Sequence, residues 1–367
     1  MYRTFEVRKF RCFEDLKMGG LRRINLITGK NNVGKTALLE ALFVHCGAYN
    51  PGLVVRLNTL RGVDVLEVEL GKWGGTPWDS VFTDFRTLET VELLGENDKT
   101  GRRIVRLRIL REPKELEKVS VEAQYGKDIF VAGGPISVTP AAPGFALVLE
   151  LEYEEGEKSG RYFMIFDPKG GMRVDPFPIS PPFQTFFMSA RTRISVSEEA
   201  KYYGNLLVRR EEKVILEVLR LIEPRIDRIE TIVVADKAIL HGDIGIGRLI
   251  PLAFLGDGMA RLTDLILYIA NARNGVVLVD EIENGLHYSV MPKIWRAIGD
   301  AADHFNTQIF ATTHSFECIK AAHIGLMESK YYDFCLHRLE RVKGTIEAVT
   351  YGQENLESAI EEGLEVR

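Results

Sequence analysis

The stretch that decides the fold is "INLITGKNNVGKTALLEAL", residues 24–42. A short apolar run ends at a glycine, a polar loop follows, and an Ala/Leu-rich helical pattern comes next. The loop at 29–36 fits the pattern GxxxxGK[ST], which wraps the phosphates of a nucleotide at a helix N-terminus. The buried strand before it and the helix after it are the context that this motif requires. The sequence therefore predicts a P-loop.

Each residue type in this loop suits phosphate binding. Gly29 and Gly34 permit backbone angles and a close approach that a Cβ would block. Lys35 would reach the β- and γ-phosphates, and the Thr36 hydroxyl would be a ligand of Mg²⁺. The choice between ATP and GTP stays open, with ATP and Mg²⁺ as the expected cofactors. The residues expected to hold them in this loop are Gly29, Asn31, Asn32, Val33, Gly34, Lys35, Thr36 and Ala37.

Length and composition describe an ordinary globular protein. The chain has 367 residues, of which 46% are hydrophobic and 27% charged, so we expect two or three subdomains. The N-terminus lacks the apolar segment of a signal peptide, and we expect a cytoplasmic protein. The four cysteines show no CxxC spacing, so no zinc site is indicated. The net charge of −5 argues against a surface that binds nucleic acid throughout.

The pattern of apolar and polar residues changes along the chain. From about 63 to 173, segments such as "FALVLELEYEEGEKSGRYFMIFD" alternate apolar and polar residues, which is typical of antiparallel strands with one solvated face. The Pro-rich passage at 175–183 predicts a rigid connector. Residues 194–227 have helical spacing, and the part from 274 onward alternates strands and helices, as a parallel sheet with crossover helices would.

The next motif is "GVVLVDEIENGLH", residues 275–287. Its apolar run predicts a buried parallel strand that ends in the adjacent acids Asp280 and Glu281. An acid at the carboxyl end of a central strand faces the crevice in which such sheets bind nucleotides. We therefore interpret Asp280 as the Walker-B acid of the magnesium shell. Glu281 would orient and deprotonate the attacking water.

Two further segments complete the predicted site. The stretch "TQIFATTHSFECI", residues 307–319, is another apolar strand, and it ends near His314. From that place a histidine can reach a γ-phosphate and act as a sensor. The stretch "LGDGMARL", residues 255–262, places Asp257 at the start of an apolar helix. Asp257 is either a helix N-cap or part of a second anion site.

In this order the segments resemble the ABC-type ATPase superfamily. Gly256, Asp257 and Gly258 stand where that family carries its signature motif, and His314 stands at its switch position. The wording "LGDGMARL…LVDEIENGLH…ATTHSFE" is most similar to the ATPase half of OLD-type (overcoming-lysogenization-defect) proteins. These are relatives of the RecF and SMC ATPases of DNA repair and phage defence, and are often labelled AAA-family ATP-binding proteins. In this group the position of Arg11, in "KFRCFEDL", approaches the nucleotide.

The resemblance implies an α/β fold: a P-loop NTPase (ABC-ATPase-like) with a mostly parallel core sheet. We expect this core at 1–60 and 262–367, an antiparallel β-rich insertion at 61–184, and a helical subdomain with the signature motif at 185–261. Two chains would sandwich two ATP molecules, each P-loop facing the partner's signature helix, and hydrolysis would release this homodimer. DNA and a separately encoded nuclease or toxin are further implied partners, whereas no membrane partner is expected.

The sequence departs from the family pattern in several places. Gly256 replaces the signature serine, Asp257 stands where transporters carry glycine, and 283–287 has the letters ENGLH where transporters have SALD. Gln184 is one position for the Q-loop glutamine, which we leave unassigned. The stretch after His314 is too short for the Toprim nuclease domain of OLD-type nucleases, so we expect no nuclease activity.

Two alternative functions follow from the same motifs. The first is the nucleotide-binding subunit of an ABC transporter, but the long separation of Lys35 from Asp280 and the altered segment after Walker B argue against it. The second is a nucleotide-sensing scaffold or clamp with little turnover. The presence of Glu281 and His314 favours turnover and hence an ATP-hydrolysing switch.

Overall fold

The computed structural model describes residues 1–62, 76–111, 147–167 and 171–367. Within these residues the strands form three sheets, of six, seven and three strands. Helices cover the largely parallel sheet, so the expected α/β class is confirmed. Part of the stretch from about 63 to 173, for which antiparallel strands are expected, lies outside the described residues.

The bounds of the elements are as follows, numbered in chain order. The strands are β1 (Tyr2–Phe10), β2 (Phe13–Met18), β3 (Ile24–Gly29), β4 (Val91–Asn97), β5 (Gly101–Leu110), β6 (Leu147–Glu155), β7 (Lys158–Asp167), β8 (Gly171–Asp175), β9 (Thr185–Met188), β10 (Arg228–Val234), β11 (Lys237–Asp243), β12 (Leu249–Pro251), β13 (Val276–Val279), β14 (Gln308–Thr312), β15 (Phe334–Val342) and β16 (Thr345–Tyr351). The helices are α1 (Lys35–Cys46), α2 (Gly52–Leu60), α3 (Val196–Arg209), α4 (Lys213–Leu219), α5 (Asp257–Asn271), α6 (Met291–His304), α7 (Phe316–Met327) and α8 (Gln353–Glu361).

The six-stranded sheet carries the P-loop. Its order is β16-β15-β3-β14-β13-β9, and all its neighbouring pairs are parallel except β15 with β16. Parallel strands end at the same edge of a sheet, so the loops that follow β3, β13, β14 and β9 meet there. This edge gathers three motifs that lie far apart in the chain: the P-loop, the acids after β13 and the histidine after β14.

Both faces of this sheet are covered. In β13, Val277 and Val279 belong to the apolar core on one face, whereas Val276 and Leu278 belong to the core on the other. Successive side chains of a strand point to opposite faces, so the two cores lie on opposite sides of the sheet. Residues of α3–α7 build the first core and residues of α1 the second. Double coverage explains the unbroken apolar run of β13.

Helix α1 lies between the two larger sheets. All of its residues from 37 to 46 are buried, and it shares a core with Val7 of β1, Leu93 of β4 and Phe310 of β14. A helix that is packed on every side needs no polar face, so its sequence shows no clear amphipathic period. The P-loop helix is therefore held by both sheets at once.

The seven-stranded sheet is antiparallel, in the order β2-β1-β4-β5-β6-β7-β8. The antiparallel strands predicted from "FALVLELEYEEGEKSGRYFMIFD" include a hairpin, in which β6 and β7 pair out to Glu155 and Lys158. Because β1 pairs with β4, the first strands of the chain share this sheet with strands of the 61–184 segment. The predicted division of the chain into domains stays a prediction.

The connector and helices predicted for the middle of the chain are confirmed. Residues 176–183 contain neither helix nor strand. Helix α3 begins with a capping box in which Ser195 and Glu198 satisfy each other's backbone N–H groups. Across the described residues, no helix combines the length and apolar character that crossing a bilayer requires.

Candidate functional site

The loop between β3 and α1 has the backbone of a tight phosphate-binding turn. Gly29 has a φ of +139° and Gly34 a φ of +99°. A Cβ on Gly29 would lie 2.4 Å from the carbonyl oxygen of Leu339, and one on Gly34 would lie 2.6 Å from the Cys12 sulfur. Both positions therefore require glycine, for conformation and for space. The sequence pattern had predicted both reasons with a phosphate in view, and the structure adds that Leu339 and Cys12 of the same chain occupy the space.

The other residues of the loop divide into an exposed and a buried group. Asn31 and Asn32 are exposed, and Asn32 has a left-handed φ of +61°. Val33 and Ala37 are buried in the core beneath the loop. The exposed stretch therefore keeps its backbone open to a ligand, while Val33 and Ala37 anchor the loop on either side of Gly34.

The amine of Lys35 folds back over its own loop. It donates hydrogen bonds to the carbonyl oxygens of Gly29 (2.6 Å) and Lys30 (3.3 Å). Burial lowers the pKa of the Lys35 amine, and the nearby carboxylate of Asp280 opposes this shift. An anion at the loop offers this amine stronger, charge-assisted acceptors than two carbonyl groups do.

Asp280 is the centre of a cluster of hydroxyl groups. The Thr36 hydroxyl donates to its carboxylate at 3.0 Å and the Thr312 hydroxyl at 2.7 Å. Burial raises the pKa of the Asp280 carboxyl, whereas the bonds from Thr312 and Thr36 lower it. A buried carboxylate beside a threonine hydroxyl supplies hard oxygen donors, which fit Mg²⁺. Mg²⁺ is held by one or two carboxylates together with substrate phosphates, so these donors are sufficient.

The backbone of Glu281 is held in an unusual conformation. Its φ is +50°, in the left-handed region that few non-glycine residues adopt. Its N–H donates to the Thr312 hydroxyl at 2.8 Å, and the Arg261 guanidinium donates to its carbonyl oxygen at 2.9 Å. The Asn284 amide donates to one carboxylate oxygen of Glu281 at 2.8 Å. These bonds hold the Glu281 backbone next to Asp280 and fix one oxygen of the Glu281 carboxylate.

His314 follows β14 at the same edge, and its side chain is half exposed. Its ring nitrogen Nδ1 lies 3.2 Å from a carboxylate oxygen of Glu283. The structure therefore brings His314 next to Glu283, a residue to which the sequence analysis assigned no role. Only its position after a predicted strand-ending acid pair could have singled it out.

Arg11 has a buried carboxylate as its partner. Its guanidinium Nε lies 2.6 Å from the Glu40 carboxylate, and Arg61 donates to the same group at 2.6 Å. Burial lowers the pKa of Arg11. The residues that follow it, Cys12 and Phe13, lie against Gly34 of the P-loop. The turn that carries Arg11 is thus in contact with the loop, and an approach of Arg11 to a nucleotide stays a prediction.

The signature segment packs against the loop that follows Walker B. Gly256 has a φ of +111°, and α5 begins at the exposed Asp257. A Cβ on Gly258 would lie 2.3 Å from the carbonyl oxygen of Gly285. Gly258 is therefore required by a close contact within its own chain, whatever it does toward a partner.

Two residues outside the predicted site link the signature helix to this edge. Arg261 on α5 donates to the backbone oxygens of Asp280 (2.7 Å) and Glu281. The hydroxyl of Thr312, the last residue of β14, donates a hydrogen bond to the Asp280 carboxylate and accepts one from the Glu281 N–H. Gln184, by contrast, precedes β9 and lies at the amino end of that strand, away from the site edge. Strand β9 ends at the site edge, and the residues that follow it there begin with Ser189.

Part of the chain is similar to a family of AAA domains. A family model described as "AAA domain, putative AbiEii toxin, Type IV TA system" matches residues 184–318. A relative from Helicobacter pylori named "ATP/GTP phosphatase" is 22% identical over 385 residues, covering 97% of this chain and 97% of its own. An uncharacterized protein of Methanocaldococcus jannaschii is 42% identical over 63 residues, covering 17% of this chain and 28% of its own.

Among solved structures, the chain is similar to an Smc head bound to the C-winged helix domain of ScpA. The TM-score is 0.51 and the identity 11%, over 98% of this chain and 99% of that one. At this identity the similarity concerns the fold, and the expected ABC-like P-loop ATPase fold is confirmed. The description of the family model and the name of the relative both agree with nucleotide binding and hydrolysis.

Proposed function

We propose that this chain binds ATP with Mg²⁺, hydrolyses it, and works as a molecular switch of the OLD-like type. The observation that carries the proposal is the bond between the Thr36 hydroxyl on α1 and the Asp280 carboxylate after β13, 3.0 Å long. This pair joins the phosphate-binding helix to the Walker-B strand across the sheet. Such a pair is the protein's share of the magnesium site in P-loop NTPases.

Each residue at this edge of the sheet has its own role in the proposed reaction. The N–H groups of the P-loop and the Lys35 amine bind the phosphates, and Mg²⁺, when bound, neutralises charge that develops on them. Thr36 and Asp280 would hold the ion. The Glu281 carboxylate orients the attacking water and accepts its proton, and Asn284 keeps that carboxylate in place. His314 contacts the γ-phosphate.

We further propose that ATP drives two chains together. In this arrangement the segment 256–258 of each chain faces the P-loop of the other. The fold is that of an Smc head, and the resemblance to OLD-type proteins supports a role in DNA maintenance or phage defence in the cytoplasm, with a separate effector. The net charge of −5 favours a protein effector over extended DNA contacts.

Phosphate release tests the enzymatic part of this proposal. The relative's name covers ATP and GTP, so both nucleotides are supplied, with Mg²⁺ or with EDTA. We expect release that requires Mg²⁺, and a kcat lowered roughly 10²- to 10⁴-fold in Glu281→Gln, because the water loses its base. Nucleotide binding by this variant should persist.

The control is Glu347→Gln, which alters an exposed glutamate of β16 and should leave release unchanged. Binding without release by the wild-type protein would contradict the enzyme and favour the sensing scaffold.

A further inference from the structure

The carboxylate of Glu283 lies beneath the loop that carries His314. Its oxygen Oε1 accepts hydrogen bonds from the Thr313 hydroxyl (2.8 Å) and the His314 backbone N–H (3.0 Å), and it lies 3.2 Å from the His314 ring nitrogen Nδ1. One carboxylate oxygen thus holds three polar groups of two consecutive residues. Glu283 follows β13 and His314 follows β14, so the contact spans two neighbouring strands of the site edge.

The chemistry of this contact determines which ring nitrogen is free. An ionised carboxylate accepts hydrogen bonds and has none to donate, so a contact of 3.2 Å with it favours a ring that carries a hydrogen on Nδ1 of His314. The hydrogen bond made by one ring nitrogen sets the role of the other. Nε2 is therefore the nitrogen left for a ligand. Toward a phosphate oxygen, which only accepts, Nε2 must carry a hydrogen as well, so the ring that contacts a phosphate is protonated on both nitrogens.

The surroundings keep Glu283 in place. Its side chain is 8% exposed, and it borders an apolar wall that includes Leu286, Trp295 and Cys318. Its second oxygen, Oε2, is buried and has no hydrogen-bond partner among the described residues. The carboxylate is confined by this wall, by two hydrogen bonds to Oε1 and by the contact of Oε1 with the His314 ring, so rotating it away would break all three contacts. His314, by contrast, is 54% exposed and depends on this contact for a fixed ring orientation.

We infer that Glu283 is a positioning residue for the hydrolytic reaction: it holds Nδ1 of His314 so that Nε2 faces the γ-phosphate of the bound nucleotide. This inference rests on the proposed function for its catalytic consequence, but the pairing itself does not depend on turnover. Carboxylates that orient a functional histidine in this way are common beside metal-bound histidines, where their loss costs about 10- to 100-fold in activity or affinity. The competing explanation is a structural clamp between two loops.

Kinetics of Glu283 variants separate these two explanations. In Glu283→Ala we expect kcat for ATP to fall roughly 10- to 100-fold, while the Kd for ATP stays within about twofold, because the P-loop is untouched. Glu283→Gln keeps an acceptor of the same shape and should recover part of the loss. The control Glu317→Gln alters an exposed acid near His314, whose contact is with Ser315, and should retain wild-type kcat.

A double-mutant cycle tests whether Glu283 acts through His314. In a His314→Ala background, Glu283→Gln should lower kcat no further, because the group that it positions is already gone. A structural clamp would give the same additional loss in both backgrounds, and that result would overturn the inference. Glu283→Gln conserves volume, so the cycle can be run even if Glu283→Ala does not fold.

The second measurement needs no turnover. In protein with ¹⁵N-labelled histidines, assigned with His314→Ala, two-bond proton–nitrogen spectra report which ring nitrogen carries the hydrogen. We expect the hydrogen on Nδ1 of His314 in the wild type, and a shift of population toward Nε2 in Glu283→Ala. A wild-type ring with its hydrogen on Nε2 alone would refute the pairing. A correct tautomer without any phosphate release would leave the pairing intact and reject the proposed function instead.

Discussion

The Lys35 amine is bound to neutral acceptors that a phosphate group could replace. Its amine bonds two carbonyl oxygens of its own loop, and an arriving phosphate would replace them with anionic oxygens. Lys30 lies on the same loop, but its side chain is exposed. The two lysines therefore differ in position while sharing charge and length.

Replacing Lys35 with alanine should weaken ATP binding by about 1.5–3 kcal/mol, the range for a hydrogen bond to a charged group, or roughly 10- to 150-fold in Kd. Isothermal titration calorimetry measures this directly. Lys30→Ala removes an equal charge from the same loop and should change Kd little at moderate salt. Equal losses in the two variants would mean that Lys35 acts only through the net charge of the loop.

Two acidic side chains are buried where α3 packs on α5. Glu199 of α3 is 8% exposed and Asp264 of α5 is 1% exposed. Burial, reinforced by the charge of Asp264, raises the pKa of Glu199 to about 7. Burial raises the pKa of Asp264 to about 6, although Arg193 lies beside it and opposes the shift. We therefore expect the contact between these helices to depend on pH near neutrality.

The sign of this dependence follows from proton counting. Between the ordinary pKa of a glutamate, 4.5, and about 7 the folded state keeps a proton on Glu199 that the unfolded chain has lost. The associated stability is complete below pH 4.5 and is lost as the pH rises through 7. Glu199→Gln removes this loss, so it should raise the unfolding temperature by a few degrees at pH 8 and have little effect at pH 5.

Thermal unfolding followed by circular dichroism at both pH values provides the measurement. Glu217→Gln is the control, because Glu217 is an exposed glutamate on the neighbouring helix α4. It should leave the unfolding temperature unchanged at both values. A Glu199→Gln variant that is destabilised at pH 8 would show that the carboxylate is charged and favourably paired there.

At the scale of the whole molecule, the proposed dimer requires a variant that blocks the partner without disturbing its own chain. Gly258 is unsuitable, since a side chain there would collide with the carbonyl oxygen of Gly285. Asp257 is exposed at the start of α5 and offers a better position. A tryptophan at 257 adds bulk in front of the segment that would face the partner's phosphates.

We expect Asp257→Trp to remain monomeric with ATP in light-scattering measurements, whereas Glu281→Gln accumulates as a dimer. Lys35→Ala and Asp257→Trp should each be inactive alone. In a mixed dimer both changes fall on one composite site and the other site is whole, so mixing should restore part of the ATPase activity. Activity that stays at the sum of the separate proteins, with a wild type that is monomeric in ATP, would contradict the dimer.

Much of the core could be predicted because its information is local. The P-loop residues are consecutive, and a strand, a glycine-containing turn and a helix form from neighbouring residues. The run of apolar residues before Asp280 likewise predicted the strand that ends there. Site residues whose role depends on their type and on their place within one strand–loop unit can thus be predicted from the sequence.

What only the tertiary structure decided are the pairings between units. Thr36 and Asp280 are 244 positions apart, and their contact depends on the order β3-β14-β13 in the sheet. No local pattern sets that order, because it arises from the packing of whole elements on both faces of the sheet. For the same reason the sequence did not predict that Glu283 contacts His314. Nor did it predict that Arg261 links α5 to the Walker-B residues. Residue types are local properties, whereas partners follow from strand order and buried surface.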